Sequence, residues 1–278
     1  MNWAKITEAQ HILGKGEPWE HGALGPMIPR ITPVKVRDHS ARHCFSACLF
    51  REPAFQPRFP DRSYKERYLE RCAASGEALA REGHHLNIIC DQKSLKDALS
   101  IGIGSVFLCL ESPSITFAKH LFRYYSVFLP PHPTIEYYHF RGMDNILKSA
   151  EEPKLIGEFE ASGCDLLRSP YFPFSSQHDG YIRVRGSCSV NLRAAKSLAH
   201  FLSHHPLSGL PGRMAFHCDE AHLNKWFQRD WRHLNAFTLI DRKLKAEFYA
   251  DLRKMVGEGV EQTIVVRIKS NGPMSSQK

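Results

Sequence analysis

Apolar residues in the first half of this chain fall into short, nearly continuous runs, separated by stretches where they recur every three or four positions. The runs His43–Phe50, His85–Asp91, Ser105–Glu111 and Thr134–Phe140 read as strands. The intervening Tyr64–Glu82, Ser94–Ser100 and Ile115–Phe128 read as helices. Strands without polar alternation are expected where both faces of a sheet are covered. Their alternation with helices predicts a single α/β domain, a mixed and mostly parallel sheet flanked by helices. Several runs end on a polar group: Asp91, Glu111 and Arg141. Ligands of open α/β sheets collect beyond the carboxyl ends of the strands, so the working edge is expected there.

The flanks have a different texture. Residues 1–38 carry Pro18, Pro26, Pro29 and Pro33 with several glycines and no sustained period, so they read as an irregular lead-in. After Asn145 come Pro153, Gly163, Pro170 and Pro173, then a strand-like Tyr181–Arg185 and a helix from Asn191 to His204. A loop with Pro206, Gly209 and Gly212 leads to a cluster of polar residues at 217–225. Leu244–Val256 reads as an amphipathic helix, Thr263–Ile268 as a last strand, and the tail after Lys269 as frayed. The main domain is thus expected over 39–256, followed by a C-terminal strand and tail over 257–278.

Composition narrows the classes. Hydrophobic residues make up 42% and charged residues 24% of 278, as in ordinary globular domains. The net charge of +8 comes from basic residues scattered along the chain, which suits a phosphate-bearing substrate or an anionic membrane surface. No zinc-finger, basic-zipper or RNA-recognition signature is present, so nucleic acid is not expected as a partner. The first 22 residues lack the apolar core of a secretory signal, and Leu99–Leu110 is too short to span a bilayer. The chain is expected in the cytoplasm, peripheral to the inner face of a membrane if it touches one. Eight cysteines without a C-x-x-C pair read as reduced and mostly buried.

Candidate chemistry is concentrated in His217-Cys218-Asp219-Glu220-Ala221-His222-Leu223-Asn224-Lys225-Trp226-Phe227. Asp219 and Glu220 stand where a helix would begin, an end that favours negative charge. Leu223, Trp226 and Phe227 follow at spacings that share one buried face. The plain alternative is that Asp219 caps the helix and Glu220 is an ordinary first-turn acid. His217 and His222 are five apart, not the four of a helical zinc site. The pairs His84-His85 and His204-His205 fall at element ends, where a cation suits a helix C-terminus. No P-loop, nucleophile elbow or complete G-x-G-x-x-G is present.

The stretch Asp219–Phe227 resembles D-E-S-H-L-N-K-Y-F of the retaining glycosyltransferases that include the blood-group A and B transferases and the α-1,3-galactosyltransferases. Seven of nine residues are identical, with Ala221 for Ser and Trp226 for Tyr. The resemblance implies a GT-A-like, Rossmann-like fold and a nucleotide-sugar donor. Glu220 would be the nucleophile or cation stabiliser, Asp219 would bind donor or acceptor hydroxyls, His222 would contact the acceptor, and the anomeric configuration would be retained. Such enzymes end a central strand with D-x-D to hold a divalent cation, Mn2+ or Mg2+, on the donor diphosphate. Here Gly142 replaces the first acid, leaving Asp144 as the metal ligand beside the amide Asn145. Arg141, always charged and capable of two parallel hydrogen bonds, could offset the diphosphate directly; the plain alternative for Arg141–Asn145 is a turn. Lys119 and Arg123, four apart on a predicted helix, would share a face toward the diphosphate or toward water. Asp179 and Arg185 match by position a segment that lines the donor sugar, though an exposed hairpin explains them as well. A glycan or lipid-linked glycan acceptor, as in polysaccharide biosynthesis, fits a basic surface near an anionic membrane. Two other readings stay open: a catalytically inactive sugar-nucleotide or glycan-binding protein of this fold, and a metal-dependent hydrolase using His217, Asp219 and Asp144.

Overall fold

The computed structural model describes residues 29–50, 62–110, 116–130, 132–142, 152–168, 187–204, 223, 226–227, 229–230, 233–240 and 264–268. Among them nine strands form one sheet: β1 (Ile31–Lys35), β2 (His43–Leu49), β3 (His85–Cys90), β4 (Ser105–Cys109), β5 (Tyr137–Phe140), β6 (Leu166–Arg168), β7 (Cys188–Asn191), β8 (Ala236–Ile240) and β9 (Ile264–Ile268). Their order is β1-β4-β3-β2-β5-β7-β6-β8-β9. β1 and β7 run against the other seven. The chain winds outward from β2 through β3 to β4, then returns to the other side of β2 with β5. The winding therefore reverses between β2 and β5, the place where open α/β sheets leave a crevice. The class expected from sequence, a mixed and mostly parallel α/β sheet flanked by helices, is the class observed.

Four α-helices are described, α1 (Arg62–Arg81), α2 (Leu95–Ser100), α3 (Glu152–Ser162) and α4 (Leu192–His204), with 3-10 helices at Gln92–Ser94 and Thr116–Phe128. Strand side chains alternate between faces. Phe45, Ala47, Ile88 and Val106 therefore meet Leu79 of α1, Ala98 of α2 and Ile156 of α3 on one face. On the other, Tyr138, Phe140, Val190 and Leu166 meet Tyr124, Leu198 and Phe201 together with Leu223, Trp226 and Phe227. The last three are 2%, 0% and 1% exposed with helical backbone, as their spacing predicts. Trp226 donates its indole N–H to Ser197 Oγ at 2.8 Å, and Ser197 donates to Asp230, so this short helical stretch is fastened to α4. Among the described residues no helix is long and apolar enough to cross a membrane, and seven cysteines are free and buried.

Several elements differ from expectation. Thr116–Phe128 is a 3-10 helix. At three residues per turn, side chains three apart eclipse, and the Phe122, Tyr125 and Phe128 rings pack in a row, tilted or edge-on, with centroids 5.5 and 5.8 Å apart. β1 lies inside the stretch read as irregular lead-in and pairs with β4. α3 begins one residue before Pro153: proline is welcome in a first helical turn, where its missing N–H would have no helical partner anyway. Gly163, at φ +65°, ends that helix in the left-handed conformation. The strand expected over Thr263–Ile268 is β9, a member of the same sheet. Tyr181–Arg185 and Leu244–Val256 lie outside the described residues.

Candidate functional site

The reversal point between β2 and β5 puts Arg141 at the carboxyl edge, one residue past β5. The strand's two-residue period turns its side chain to the face that carries α3. There it is 6% exposed. Nε donates to Glu152 Oε1 at 2.8 Å, Nη1 to the carbonyls of Phe140 at 2.9 Å and Cys188 at 2.7 Å, and Nη2 to Ser189 Oγ at 3.0 Å. One guanidinium thus ties together the end of β5, the start of β7 and the first turn of α3. The sequence suggested a diphosphate contact for this guanidinium; in the fold it is engaged by these protein groups. Its charge is matched by Glu152 and four of its five N–H groups are occupied. Its contribution to a site is to hold the end of β5 at the carboxyl edge.

A second buried arginine stands nearby. Arg168 ends β6, is 2% exposed, donates from Nε to Thr238 Oγ1 at 3.2 Å, and lies 4.8 Å over the Phe227 ring. Sequence reasoning passed it over, because β6 is too short for its alternation to show. Its contact matters for placement: Phe227 is held beneath the carboxyl edge. Cys188 starts β7 between the two arginine-bearing strands, and burial pushes its thiol up to about 12, which removes it as a nucleophile. Asp91, at the end of β3, accepts from the Ser94 backbone N–H at 2.9 Å and so caps the short helix that follows.

Arg123 is described, with its guanidinium 5.8 Å from the centre of the Tyr124 ring and its carbonyl accepting from the Ser46 hydroxyl. Asp144, Asn145, Asp179, Arg185, His217, Asp219, Glu220, His222 and the Lys119 side chain lie outside the described residues. The convergence of Asp144 and Glu220 on one cleft therefore belongs with the proposals below. No group of three or more His, Cys, Asp or Glu among the described residues is placed to hold a metal ion. At the reversal point Gly142 offers no side-chain oxygen and Glu152 is engaged by Arg141. The described residues do not fit a divalent-cation site, and no chemical step is derived through one.

The opposite, amino edge of the sheet gathers histidines from five segments. His39 stacks on His85 with centroids 3.7 Å apart and lies 4.1 Å from His132. Beside them His43 packs against Tyr137, His84 and His139. Burial lowers His39, His43, His84 and His139 from the ordinary histidine range and takes His85 to about 4. Burial thus works against His85, in the core, and the half-buried His84 as the helix-terminal cations their position suggested. His204 does hydrogen-bond the His200 carbonyl at 2.8 Å at the end of α4.

No protein-family model and no curated protein matches the chain. One similar solved structure is a protein of Desulfovibrio desulfuricans G20, provisionally assigned as a nucleotide-diphospho-sugar transferase. It is 13% identical, with a TM-score of 0.44 over 81% of this chain and 99% of that one.

Proposed function

We propose that the chain is a glycosyltransferase that takes a sugar from a nucleotide-sugar donor, with the blood-group-type enzymes as its nearest model. The observation that carries this reading is the anchoring of Leu223, Trp226 and Phe227: they root the helix after Asp219-Glu220 in the core, beneath Arg168 at the carboxyl edge. In this reading the residues matching the family's catalytic run project from that carboxyl edge. In this reading the donor lies across the strand ends, its diphosphate toward Asp144, Asn145, Lys119 and Arg123. Breaking the anomeric bond leaves negative charge on the diphosphate, and preorganised positive and hydrogen-bonding groups at that edge stabilise it. Glu220 faces the other side of the sugar ring and supports the developing positive charge or forms a transient bond, which gives retention. Asp219, Asp179 and Arg185 hold sugar hydroxyls, and His222 meets a glycan or lipid-linked acceptor.

Gly142 in place of an acid favours one second reading, a protein of this fold that binds sugar nucleotides without turning them over. One experiment separates the two. A panel of nucleotide sugars is screened by thermal shift, since a ligand of the folded state raises its stability with affinity. The stabilising donor is then assayed for sugar transfer and hydrolysis with wild type and Glu220→Gln. The transferase reading expects turnover in wild type and a loss of about a hundredfold or more in Glu220→Gln with binding retained. Binding without turnover supports the second reading, and a panel with no stabilising donor sinks both.

A further inference from the structure

A chain of hydrogen bonds crosses the sheet from one edge to the other. His43 Nε2 faces Glu160 Oε2 at 3.4 Å. His43 Nδ1 lies 3.0 Å from His139 Nε2, His139 Nδ1 lies 2.8 Å from Ser189 Oγ, and Ser189 Oγ accepts from Arg141 Nη2 at 3.0 Å. Each neutral imidazole has one N–H and one lone pair, so a link between two of them admits only one donor. The carboxylate settles which. It only accepts, so His43 carries its proton on Nε2 and offers Nδ1 as acceptor. His139 must then donate from Nε2 and accept at Nδ1, and the Ser189 hydroxyl must donate to that nitrogen, leaving a lone pair for Arg141. The polarity of the whole chain follows from Glu160 on α3.

We propose that His139 is a positioning residue for the carboxyl-edge site. It holds Arg141 through Ser189, in a donor order set by His43 and Glu160, and proton uptake at His43 from solvent reverses that order and loosens Arg141. With a proton added at Nδ1, His43 donates to His139 Nε2. The His139 proton then resides on Nδ1 and is donated to Ser189 Oγ, and the Ser189 hydroxyl loses its acceptor. A buried hydroxyl proton without a partner is costly, and reorientation of Ser189 is felt at the guanidinium that fixes the strand end.

The groups facing this chain sharpen the response. Glu160 from α3 and Glu136 before β5 favour a charged His43, while Arg42 and burial oppose it. His139 is opposed by burial, Arg141, His43 and His84, and His84 by burial and His43, with Glu82 and Glu160 favouring its charge. Tyr137 lies flat against His43 at 5.0 Å and Phe45 against His139 at 4.5 Å. Proton uptake therefore starts at His43, the ring that faces a carboxylate.

The consequence for ligand binding rests on the proposed transferase reading; the chain itself is tested without it. Ring-nitrogen NMR of the full-length protein between about pH 7.5 and 5 reports both histidine tautomers, and the Arg141 guanidinium signals report the other end. At neutral pH, His139 is expected with its proton on Nε2, and the Arg141 Nη2 signal is expected to move with the same midpoint as His43. A proton on His139 Nδ1 at neutral pH, or an Arg141 signal that stays flat while His43 titrates, overturns the proposal. In parallel, uridine, guanosine, cytidine and adenosine diphosphates are titrated calorimetrically at both ends of that range. The best of them is expected to bind about tenfold more weakly at the acid end, a difference abolished in Ser189→Ala and in His43→Phe. A difference that survives both variants overturns the link to the site. If no diphosphate binds, the transferase reading fails and the NMR midpoints still decide the chain.

Discussion

Gly104 opens β4 at φ +78°, and a β-carbon built there would lie 2.3 Å from the Leu86 carbonyl oxygen. Gly102 has nearly the same conformation, φ +75°, but its nearest such neighbour is 3.9 Å away. Gly104→Ala is therefore expected to cost about 2–4 kcal/mol, backbone strain plus displacement of β3, and Gly102→Ala only about 1–2 kcal/mol from strain. Urea unfolding of the two variants checks the order, and equal losses would refute the crowding argument. In the sequence the two glycines are equivalent, an incomplete phosphate-loop pattern; only the packing of β4 on β3 separates them. Arg141 teaches the same lesson. Its place at the end of a strand was legible from the apolar run before it. Its burial was not, because the face it points to is covered by α3, a helix hidden behind Pro153.

The helical stretch at 223–230 shows which elements declare themselves. Large apolar residues at three- and four-residue spacing have one compact arrangement, and Leu223, Trp226 and Phe227 take it. Truncating Trp226 to Ala should cost about 3–5 kcal/mol through the cavity left behind. Trp226→Phe should cost about 1–2 kcal/mol, mostly the lost indole bond to Ser197. Denaturant midpoints of the two variants test this, and a mild effect of the alanine would mean the helix is not anchored as described. The aromatic 3-10 helix declared itself less well. Its apolar residues, at 117, 118, 121, 122, 124, 125, 127 and 128, fit a period of three nearly as well as 3.6. β6 and β7, of three and four residues, are too brief for alternation to show, so these two strands were invisible until their pairing was seen.

At the scale of the whole molecule, strand order brings His39, His85 and His132 together, and separately His43, His84 and His139, groupings that spacing along the chain does not suggest. Five of these are lowered by burial. Between the ordinary histidine value of about 6.5 and the depressed folded values, about 4 for His85, the unfolded chain binds more protons than the native one. Stability must therefore fall as pH drops through that window, by about 1.4 kcal/mol per pH unit for each histidine that stays neutral in the fold. Urea midpoints between about pH 7 and 4 measure it, and a flat profile would mean that these rings are charged in the native state. The alternation of runs and periods conveyed the parallel centre of the sheet and the strand that became β9, while β1 came only with the structure. β1 forms one border among the described strands, and it is poorly made for recruiting another chain. Pro33 has no amide hydrogen to offer, and the ladder to β4 slips between Pro33 and Lys35. A sheet this rich in parallel, apolar strands would otherwise present a template for intermolecular growth; that margin is blunted, and the molecule is to that extent guarded against fibrillar association.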